Sequence, residues 1–249
     1  QRDDWYTTHR DAARLDDPLR VGRIAAERAV ARLGGRKVRT GDFPVVFEAT
    51  LAGGLLGSLV HAASGGALYR KSSFLLDQLG KRVMPEFVNI SERPHIKRGL
   101  GSAAFDSDGV ATRDREVVSG GILQGYFLSA YTARKLGMQT TGNAGGSHNL
   151  IIEPGALDFA GLLAQMGRGL LVTELLGQGV NYVTGDYSRG AAGYWVEDGR
   201  IAYPVEEITI AGNLKAMLAG IVAVGNDVQV RGSKQTGSIL IDRMTVAGE

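Results

Sequence analysis

His61 is the side chain that most resembles a metal ligand by its sequence context. It lies in residues 55–74, a segment with the composition of a helix. A zinc-peptidase helix carries two histidines one turn apart, with a glutamate beside the first that accepts a proton from the metal-bound water. Here Ala62 stands at the glutamate position, and Gly65 and Gly66 occupy the turn of the second histidine. Because one imidazole cannot hold a catalytic zinc, the segment predicts a metal helix without its ligands. The alternative is that His61 is a packed or hydrogen-bonded core group.

Two further groups of polar residues could contact a ligand. Arg70, Lys71 and Ser72 directly follow the histidine segment. They could hold a substrate carboxylate or anchor this part of the chain to a partner subunit, and the second role is favoured. Asp186 and Arg189 lie in a short polar cluster between glycines, where they could pair with each other or face a substrate.

A glycine-rich loop, residues 141–148, contains the candidate contacts Asn143 and His148. Its backbone N–H groups could cradle an anion or a peptide carbonyl. The loop lacks the lysine and the strand–loop–helix context of a phosphate-binding P-loop. A structural turn is therefore the favoured interpretation of this segment.

Two common enzyme classes have no support in the sequence. A serine-nucleophile elbow of the Gly-x-Ser-x-Gly kind does not occur. No glycine fingerprint lies between a convincing strand and helix with an acidic residue downstream, as a dinucleotide site requires. The residues predict neither a serine hydrolase nor a dinucleotide-dependent enzyme.

The composition is that of an ordinary globular protein. Of 249 residues, 44% are hydrophobic and 22% are charged, which argues against extensive disorder. The formal net charge of +2 is too small to predict direct nucleic-acid binding. No segment approaches the roughly 20 apolar residues of a membrane span. The absence of cysteine and of a secretory signal predicts a cytoplasmic protein.

Capping residues and hydrophobic periodicity predict several helices. In the first, Asp16 or Asp17 precedes Pro18, and apolar residues recur on one face until Gly34-Gly35. The opposite face is expected to be solvated or to face a subunit, and it carries Arg20, Arg23, Arg28 and Arg32. The other predicted helices are residues 51–63, a helix that Ser129 caps and Gly137 ends, and residues 158–166.

Strands outnumber helices in the prediction, and glycines separate them. Ser119-Gly120-Gly121 and Asp198-Gly199 indicate two hairpins. The fold class that follows is α+β, with a predominantly antiparallel β-sheet and short packed helices. The predicted strands are residues 44–48, 82–90, 115–118, 122–127, 169–176, 193–197 and 200–205, with Pro85 marking an edge or a bulge in the second.

Five short segments carry a resemblance that covers nearly the whole chain. They are GGALYRKSSFLLD (residues 65–77), ARKLG (133–137), TGNAGG (141–146), GDYSRGAAG (185–193) and VGND (224–227). Each is unspecific alone, but in this order and spacing they resemble the C-terminal half of the PmbA/TldD proteins, in particular the PmbA (TldE) branch. In that family the TldD branch carries a His-Glu-x-x-x-His zinc helix and a downstream cysteine ligand, whereas the PmbA branch lacks these ligands.

The resemblance implies a non-catalytic subunit that pairs with a zinc-bearing TldD-like protease as a heterodimer, or that forms a homodimer. Zinc is then expected only in the partner, and no cofactor is expected in this chain. The implied substrates are extended peptides and unfolded proteins in the bacterial cytoplasm, in peptide-antibiotic maturation and antitoxin degradation. An extended peptide could bind by adding a strand to the sheet. Residues 1–249 are expected to form one C-terminal domain, in which about the first 40 residues lead in from a preceding N-terminal α/β domain.

Two alternatives remain from the sequence. One is a stand-alone peptidase or hydrolase with a site that no motif reveals. The other is a binding protein that modulates DNA gyrase, a label that the family also carries. Contact with the gyrase protein is compatible with the low net charge, whereas direct binding to DNA or to a membrane is not expected.

Overall fold

Eleven strands and six α-helices follow one another in the computed structural model, which describes residues 1–249. A short 3-10 turn, Ala12–Arg14, precedes the first helix. The helices are α1 (Pro18–Ala31), α2 (Ala49–Ala62), α3 (Gly65–Tyr69), α4 (Ala130–Leu136), α5 (Phe159–Met166) and α6 (Leu214–Ala219). The strands are β1 (Gly41–Phe47), β2 (Ile90–Glu92), β3 (Arg115–Ser119), β4 (Ile122–Leu123), β5 (Leu150–Ile152), β6 (Gly169–Leu176), β7 (Asp186–Glu197), β8 (Arg200–Asn213), β9 (Ile221–Val224), β10 (Lys234–Gln235) and β11 (Ile239–Ala247).

The larger sheet closes on itself. Its order is β1-β6-β7-β8-β11-β9, and an additional pairing of β1 with β11 completes a barrel. Only β1 and β6 run parallel, and every other pair in this sheet is antiparallel. β8 pairs with the C-terminal part of β11, and β9 pairs with its N-terminal part. β8 and β9 therefore lie one after the other along the same side of β11. The predicted α+β class with mainly antiparallel sheet is confirmed.

Closure of the barrel changes how a peptide could bind. Strand addition needs a row of unpaired N–H and C=O groups along a sheet edge. A closed sheet has no such edge, and here only β9 remains outside the ring. Strand addition of a peptide is therefore restricted to β9 beside the barrel and to β4 and β10, the outer strands of the second, five-stranded sheet. Side-chain clefts are the alternative binding surfaces.

Alternation along the strands gives the barrel two apolar faces. Val45 and Phe47 of β1 belong to the main hydrophobic core, whereas Val46 between them packs with α5 in a smaller cluster. Leu171 and Leu240 reach the same smaller cluster from β6 and β11. Since successive side chains of a strand point to opposite faces, each strand serves both clusters.

The smaller sheet has the order β10-β5-β2-β3-β4. Its buried residues, among them Ile90 and Val117, belong to the same hydrophobic core as Phe47 of the barrel and Leu59 of α2. One continuous core therefore fixes α2 relative to both sheets. None of the helices combines the length and the apolar character that crossing a membrane requires.

Local signals predicted many element ends correctly. The Asp17 carboxylate accepts the N–H of Leu19, and Pro18 opens α1. Ser129 caps α4 through the N–H of Thr132, and Gly137 ends that helix with a φ of 66°. Both hairpins are present, with Gly120-Gly121 between β3 and β4 and Asp198-Gly199 between β7 and β8.

The predicted strand over residues 82–90 is wrong, because only Ile90 belongs to a strand. The N–H groups of Val83 and Met84 both donate to the carbonyl oxygen of Gly121, at 2.9 and 3.1 Å, so the chain turns at this point. Pro85 supplies no N–H, and its carbonyl oxygen accepts the N–H of Val88 in the following turn. A β-type composition was overridden by hydrogen bonds to a distant glycine.

The first helix differs from the prediction at its end and on one face. It ends at Ala31, not at Gly34-Gly35, and Arg32 is its C-terminal cap. Arg20 and Arg23 face solvent as expected. Arg28 and Arg32 turn inward instead, with side chains only 20% and 10% exposed.

Carboxylates from three different segments draw these two arginines inward. Arg28 donates to both carboxylate oxygens of Glu48, at 2.7 and 3.1 Å, and to Asp3 at 3.0 Å. Arg32 pairs with Glu174 of β6 at 2.5 Å. Since no residue of α1 is buried, ion pairs are the main attachment of this helix to the barrel. Helical periodicity assigned the arginines to a polar face but could not indicate these distant partners.

Glu92 is a buried carboxylate at the centre of the smaller sheet, and its side chain is 1% exposed. One oxygen accepts the Nε–H of Arg115 at 2.6 Å. The other accepts the Nδ2–H of Asn143 at 2.9 Å and the backbone N–H of His148 at 2.7 Å. This single side chain therefore joins β2, β3 and the loop over residues 141–148.

A second buried carboxylate, Asp106, supports the same loop. It accepts the backbone N–H groups of Asp108, Val110 and Ala144, each at 2.9 Å. Burial by itself would raise the pKa of the Asp106 carboxyl, but the three hydrogen bonds, helped by the nearby His148, outweigh burial and lower this pKa.

We expect Glu92→Gln to lower the free energy of unfolding by about 3 kcal/mol, because it leaves the Arg115 guanidinium without its charge partner in a buried site. Urea denaturation measures the change. Glu116→Gln is the matched control, since Glu116 is half-exposed and forms a surface ion pair with Arg93. Its effect should stay within about 0.5 kcal/mol. Equal effects of the two substitutions would contradict the role assigned to Glu92.

The Asp106 hydrogen bonds predict a pH dependence of stability. The ionised carboxylate is favoured in the folded state, so its contribution is complete above the unfolded pKa of about 3.9 and is lost as the pH falls through the lower folded value. Asp106→Asn should lower the unfolding free energy by about 1–3 kcal/mol at neutral pH. This deficit should shrink below about pH 4 in urea titrations. Exposed Asp114 offers the control Asp114→Asn, and a deficit for Asp106→Asn that is independent of pH would refute the assignment.

Candidate functional site

His61 lies on the wall of a cleft between α2 and the chain over residues 175–189. The cleft has a volume of about 310 Å³. We call it the α2 cleft. It is lined by Phe47, Leu51, Gly54, Leu55, Gly57, Ser58, His61, Leu175, Gln178, Val180, Tyr182, Tyr187 and Arg189. Of the predicted candidates, the structure therefore brings His61 and Arg189 together.

The pleat of β7 decides which polar side chains enter the cleft. Tyr187 and Arg189 lie two residues apart and both line it, whereas Asp186 and Ser188 are exposed on the opposite face. Asp186 accepts a hydrogen bond from the hydroxyl of Thr184 at 2.6 Å. Asp186 and Arg189 consequently do not pair, and this alternative from the sequence is wrong.

The segment between β6 and β7 forms the outer wall of the cleft. Gly179 lies against β7, since its carbonyl oxygen accepts the N–H of Ser188 at 2.7 Å. A β-carbon at Gly179 would lie 1.8 Å from the Ser188 carbonyl oxygen, so only glycine permits this approach. Val180 then forms an isolated bridge to Tyr187. The close approach fixes the position of the wall.

Tyr182 connects this wall to the histidine. Its ring stacks on His61 with 4.0 Å between ring centroids and an interplanar angle of 29°. Its carbonyl oxygen accepts the N–H of Phe74 at 2.9 Å, which ties the wall to the chain that follows α3. His61 is exposed, so it lies on the cleft surface and is not a core group.

The α2 cleft contains a cation without a counter-charge. Its lining includes no aspartate or glutamate, and Arg189 takes part in none of the salt bridges of the structure. The Nε of Arg189 is buried and lacks a hydrogen-bond acceptor in the protein. Burial raises the pKa of the Tyr187 phenol despite the nearby guanidinium, so this phenol is neutral at physiological pH.

These residues do not fit a catalytic zinc. Such a site uses three protein ligands from histidine, carboxylate or thiolate side chains, and the cleft offers only the imidazole of His61. No group of three or more such side chains that could hold a metal ion occurs in residues 1–249. Ala62 is fully buried, and a β-carbon at Gly66 would lie 3.5 Å from the Arg70 guanidinium. Neither Ala62 nor Gly66 belongs to the lining of the cleft.

Arg70, Lys71 and Ser72 lie at the C-terminal end of α3, away from the cleft lining. Arg70 is exposed and lies over the Tyr69 ring, 5.3 Å from its centroid. The Ser72 hydroxyl donates to the carbonyl oxygen of Ala67 at 3.2 Å. Their role as peptide or partner contacts stays a prediction.

Asn143 and His148 occupy the loop that Glu92 and Asp106 hold in place. Asn143 is buried, and the His148 ring nitrogen Nε2 lies 2.9 Å from the carbonyl oxygen of Gly142. Two N–H groups of this loop are bound by carboxylates of the protein itself. That arrangement explains the loop as a structural turn, while contact of Asn143 or His148 with a peptide or partner stays a prediction.

Sequence reasoning did not single out Tyr182 or Gln178 as cleft residues. No local pattern marks Tyr182, because its position depends on the contact of Gly179 with β7. Tyr187 could have been found, since it alternates with Arg189 in a segment that can form a strand.

The chain is similar to proteins of one known family. The family model described as the PmbA/TldA metallopeptidase C-terminal domain matches residues 40–248. A Haemophilus influenzae protein named metalloprotease PmbA homolog is 52% identical over the whole chain. The chain spans only 55% of that relative's length.

The fold is similar to that of a solved structure, and the sequence is also similar to a protein of the TldD branch. A crystal structure from Bacteroides thetaiotaomicron, described as a candidate modulator of DNA gyrase, superposes with a TM-score of 0.93 at 32% identity, over 98% of this chain and 55% of that chain. A Haemophilus influenzae protein named metalloprotease TldD homolog is 28% identical over 76% of this chain and 42% of its own length.

We expect Gly179→Ala to displace the outer wall of the α2 cleft, because the added methyl group would collide with the Ser188 carbonyl oxygen. Overpacking of this kind costs about 1–3 kcal/mol of stability. The specific sign is faster hydrogen exchange at the Ser188 amide, whose acceptor is Gly179. Gly232→Ala is the control, since a β-carbon there meets nothing within 4 Å. Unchanged protection of the Ser188 amide in Gly179→Ala would show that the wall does not depend on this contact.

Proposed function

Because the chain belongs to the PmbA/TldD metallopeptidase family, we propose that it is a PmbA-type subunit that lacks catalytic zinc and assists a zinc-bearing TldD-type protease. The observation that carries this proposal is the α2 cleft with its single metal-capable side chain, His61. A zinc that activates water needs three protein ligands and an open position. The partner would supply the metal and the hydrolytic step, and this chain would bind and orient the substrate.

The α2 cleft supports peptides as the substrate class. It combines leucine and valine side chains with a guanidinium, two phenols and an imidazole. Mostly apolar walls with a few converging polar groups are typical of ligand sites. A peptide entering the cleft could bury an apolar side chain against Leu51 or Leu175 while its polar groups reach the other wall.

Two branches of the family occur in one organism, which supports a two-subunit assembly. Haemophilus influenzae has both a PmbA homolog and a TldD homolog that are similar to this chain. We propose a heterodimer with a TldD-like subunit, and a homodimer when that subunit is absent. The exposed end of α3, with Arg70 and Lys71, is a candidate partner contact, as is exposed Asp186.

We place this assembly in the bacterial cytoplasm, where it would act on extended peptides and unfolded proteins. Peptide-antibiotic maturation and antitoxin degradation are the processes that the family suggests. Both require cleavage of chains without a stable fold, so sequence-tolerant recognition in an open cleft is appropriate to them.

A second candidate function is binding to the DNA gyrase protein. It rests on the description of the Bacteroides thetaiotaomicron structure as a candidate modulator of DNA gyrase. The net charge of +2 gives no support for contact with the DNA itself. A pull-down with purified gyrase subunits, repeated at raised salt, tests this candidate separately from proteolysis.

We expect the purified protein alone to contain less than stoichiometric zinc and to leave casein intact, because it lacks a complete set of zinc ligands. Adding a TldD-like subunit should produce cleavage, and a chelator should abolish it. Elemental analysis and a casein-cleavage assay, run on each subunit and on the mixture, measure these outcomes.

The control is the TldD-like subunit without this chain, which shows how much of the cleavage depends on the pair. Stoichiometric zinc together with casein cleavage by this protein alone would overturn the proposal and favour a stand-alone metallopeptidase. Cleavage by this protein alone that survives a chelator would instead indicate a hydrolase with a different site.

A further inference from the structure

We propose that Arg189 makes the α2 cleft a carboxylate-binding subsite. Peptides that place a carboxylate against Arg189 are then bound in preference to neutral peptides. This inference rests on the proposed function, in which the cleft takes peptides. It adds the chemical class of the group that the cleft recognises and the residue that recognises it.

The first support is the charge balance of the cleft. Arg189 has no acidic partner, and no acidic residue lines the cleft. Arg28 and Arg115 are neutralised by Glu48 and Glu92. Arg231, which also has no salt bridge, stacks on the rings of Trp5 and Tyr6 outside the cleft. A partly buried guanidinium without a counter-charge is unfavourable, and an arriving carboxylate would remove this penalty.

The second support is an unused hydrogen-bond donor. The Nε–H of Arg189 is shielded from solvent and has no acceptor within the protein. A buried donor without a partner costs about 1–3 kcal/mol. A guanidinium presents its donors in a planar fork that matches the two oxygens of a carboxylate. The two Nη groups of Arg189 remain accessible in the cleft and have no acceptor in the protein, so the ligand that best matches them is a planar anion with two oxygens.

The third support is the rigidity of the backbone that carries Arg189. β7 lies between β6 and β8, and Arg189 is directly opposite Ile210 in the β7–β8 register. On the other side of this part of β7, Gly179 is held against Ser188 by the 2.7 Å hydrogen bond. A rigid backbone limits the positions that the guanidinium can reach and so lowers the entropy lost when a ligand binds, which favours a specific site over a mobile surface charge.

A carboxylate can come from two parts of a peptide, its C-terminus or an aspartate or glutamate side chain. Both present the same group to Arg189. The apolar residues Leu51, Leu55, Leu175 and Val180 line the same cleft and could receive a neighbouring apolar side chain in either case. The two sources differ in where the rest of the peptide continues, and labelled peptides can distinguish them.

The test uses a short dansyl-labelled alanine peptide that ends in leucine, in three forms. One has a free C-terminal carboxylate, one is the neutral C-terminal amide, and one is the amide with an internal glutamate. Fluorescence anisotropy measures the affinity of each for the protein. We expect at least one carboxylate form to bind about tenfold more tightly than the neutral amide, a difference of about 1.4 kcal/mol.

The variants assign that preference to Arg189. Arg189→Gln should abolish it and leave the weak binding of the neutral amide, whereas Arg189→Lys should keep part of it, because an ammonium attracts the anion but lacks the fork. Arg134→Gln is the control, since Arg134 is exposed on α4 outside the cleft. Circular dichroism and thermal unfolding confirm that each variant is folded.

Tight binding of the free acid alone identifies the C-terminus as the source, and tight binding of the glutamate amide identifies a side chain. Equal affinity for all three peptides, no binding of any of them, or a preference that persists in Arg189→Gln would overturn the subsite. None of these results alters the zinc and casein outcomes, so failure of the subsite and failure of the proposed function can be told apart.

Discussion

The double pairing of β1 is the constraint on which the α2 cleft depends. β1 lies between β6 and β11, and this closes the larger sheet into a barrel. The chain enters α2 immediately after β1, where the N–H of Glu48 donates to Val172 of β6 and the N–H of Ala49 donates to the Ser238 hydroxyl. The first turn of α2 is therefore attached to the barrel rim. Because β7 is the next strand beyond β6, the strand order β1-β6-β7 places Arg189 across the cleft from that helix.

Arg28 and Arg32 differ from Arg189 in having carboxylate partners. Arg28 and Arg32 satisfy Glu48, Glu174 and Asp3, so their charges are used to hold α1 against the barrel. Their removal would leave carboxylates unpaired, and their presence says nothing about ligands. Arg189 is equally well placed by the fold but has no carboxylate within reach of a salt bridge. The contrast explains why charge alone is a poor indicator of a site, while an unpaired, partly buried charge is a useful one.

Sequence reasoning succeeded where neighbouring residues determine the structure. The Asp198-Gly199 turn and the Ser129 cap depend on a few adjacent residues, and both are present. It failed over residues 82–90, where two backbone N–H groups donate to the carbonyl oxygen of the distant Gly121. It also failed on α1, where distant carboxylates turn two arginine side chains inward. The site shows the same division. His61 and Arg189 were candidates by residue type, but their approach across the α2 cleft, and the stacking of Tyr182, follow from barrel closure and the Gly179 contact.

Packing as well as residue type opposes a zinc site at position 62 of α2. Ala62 is fully buried, and its carbonyl oxygen accepts the Ser73 hydroxyl at 2.5 Å, so a glutamate there would enter a filled core. At Gly66 a β-carbon would make only ordinary van der Waals contact with the exposed Arg70 guanidinium, at 3.5 Å. Replacing Ala62 by glutamate would therefore force core neighbours to move, whereas Gly66 has room for a side chain. Since close-packed interiors resist such changes, the packing around α2 favours a helix that contributes to peptide binding without a metal. The Arg189 guanidinium would then select peptides that carry a carboxylate.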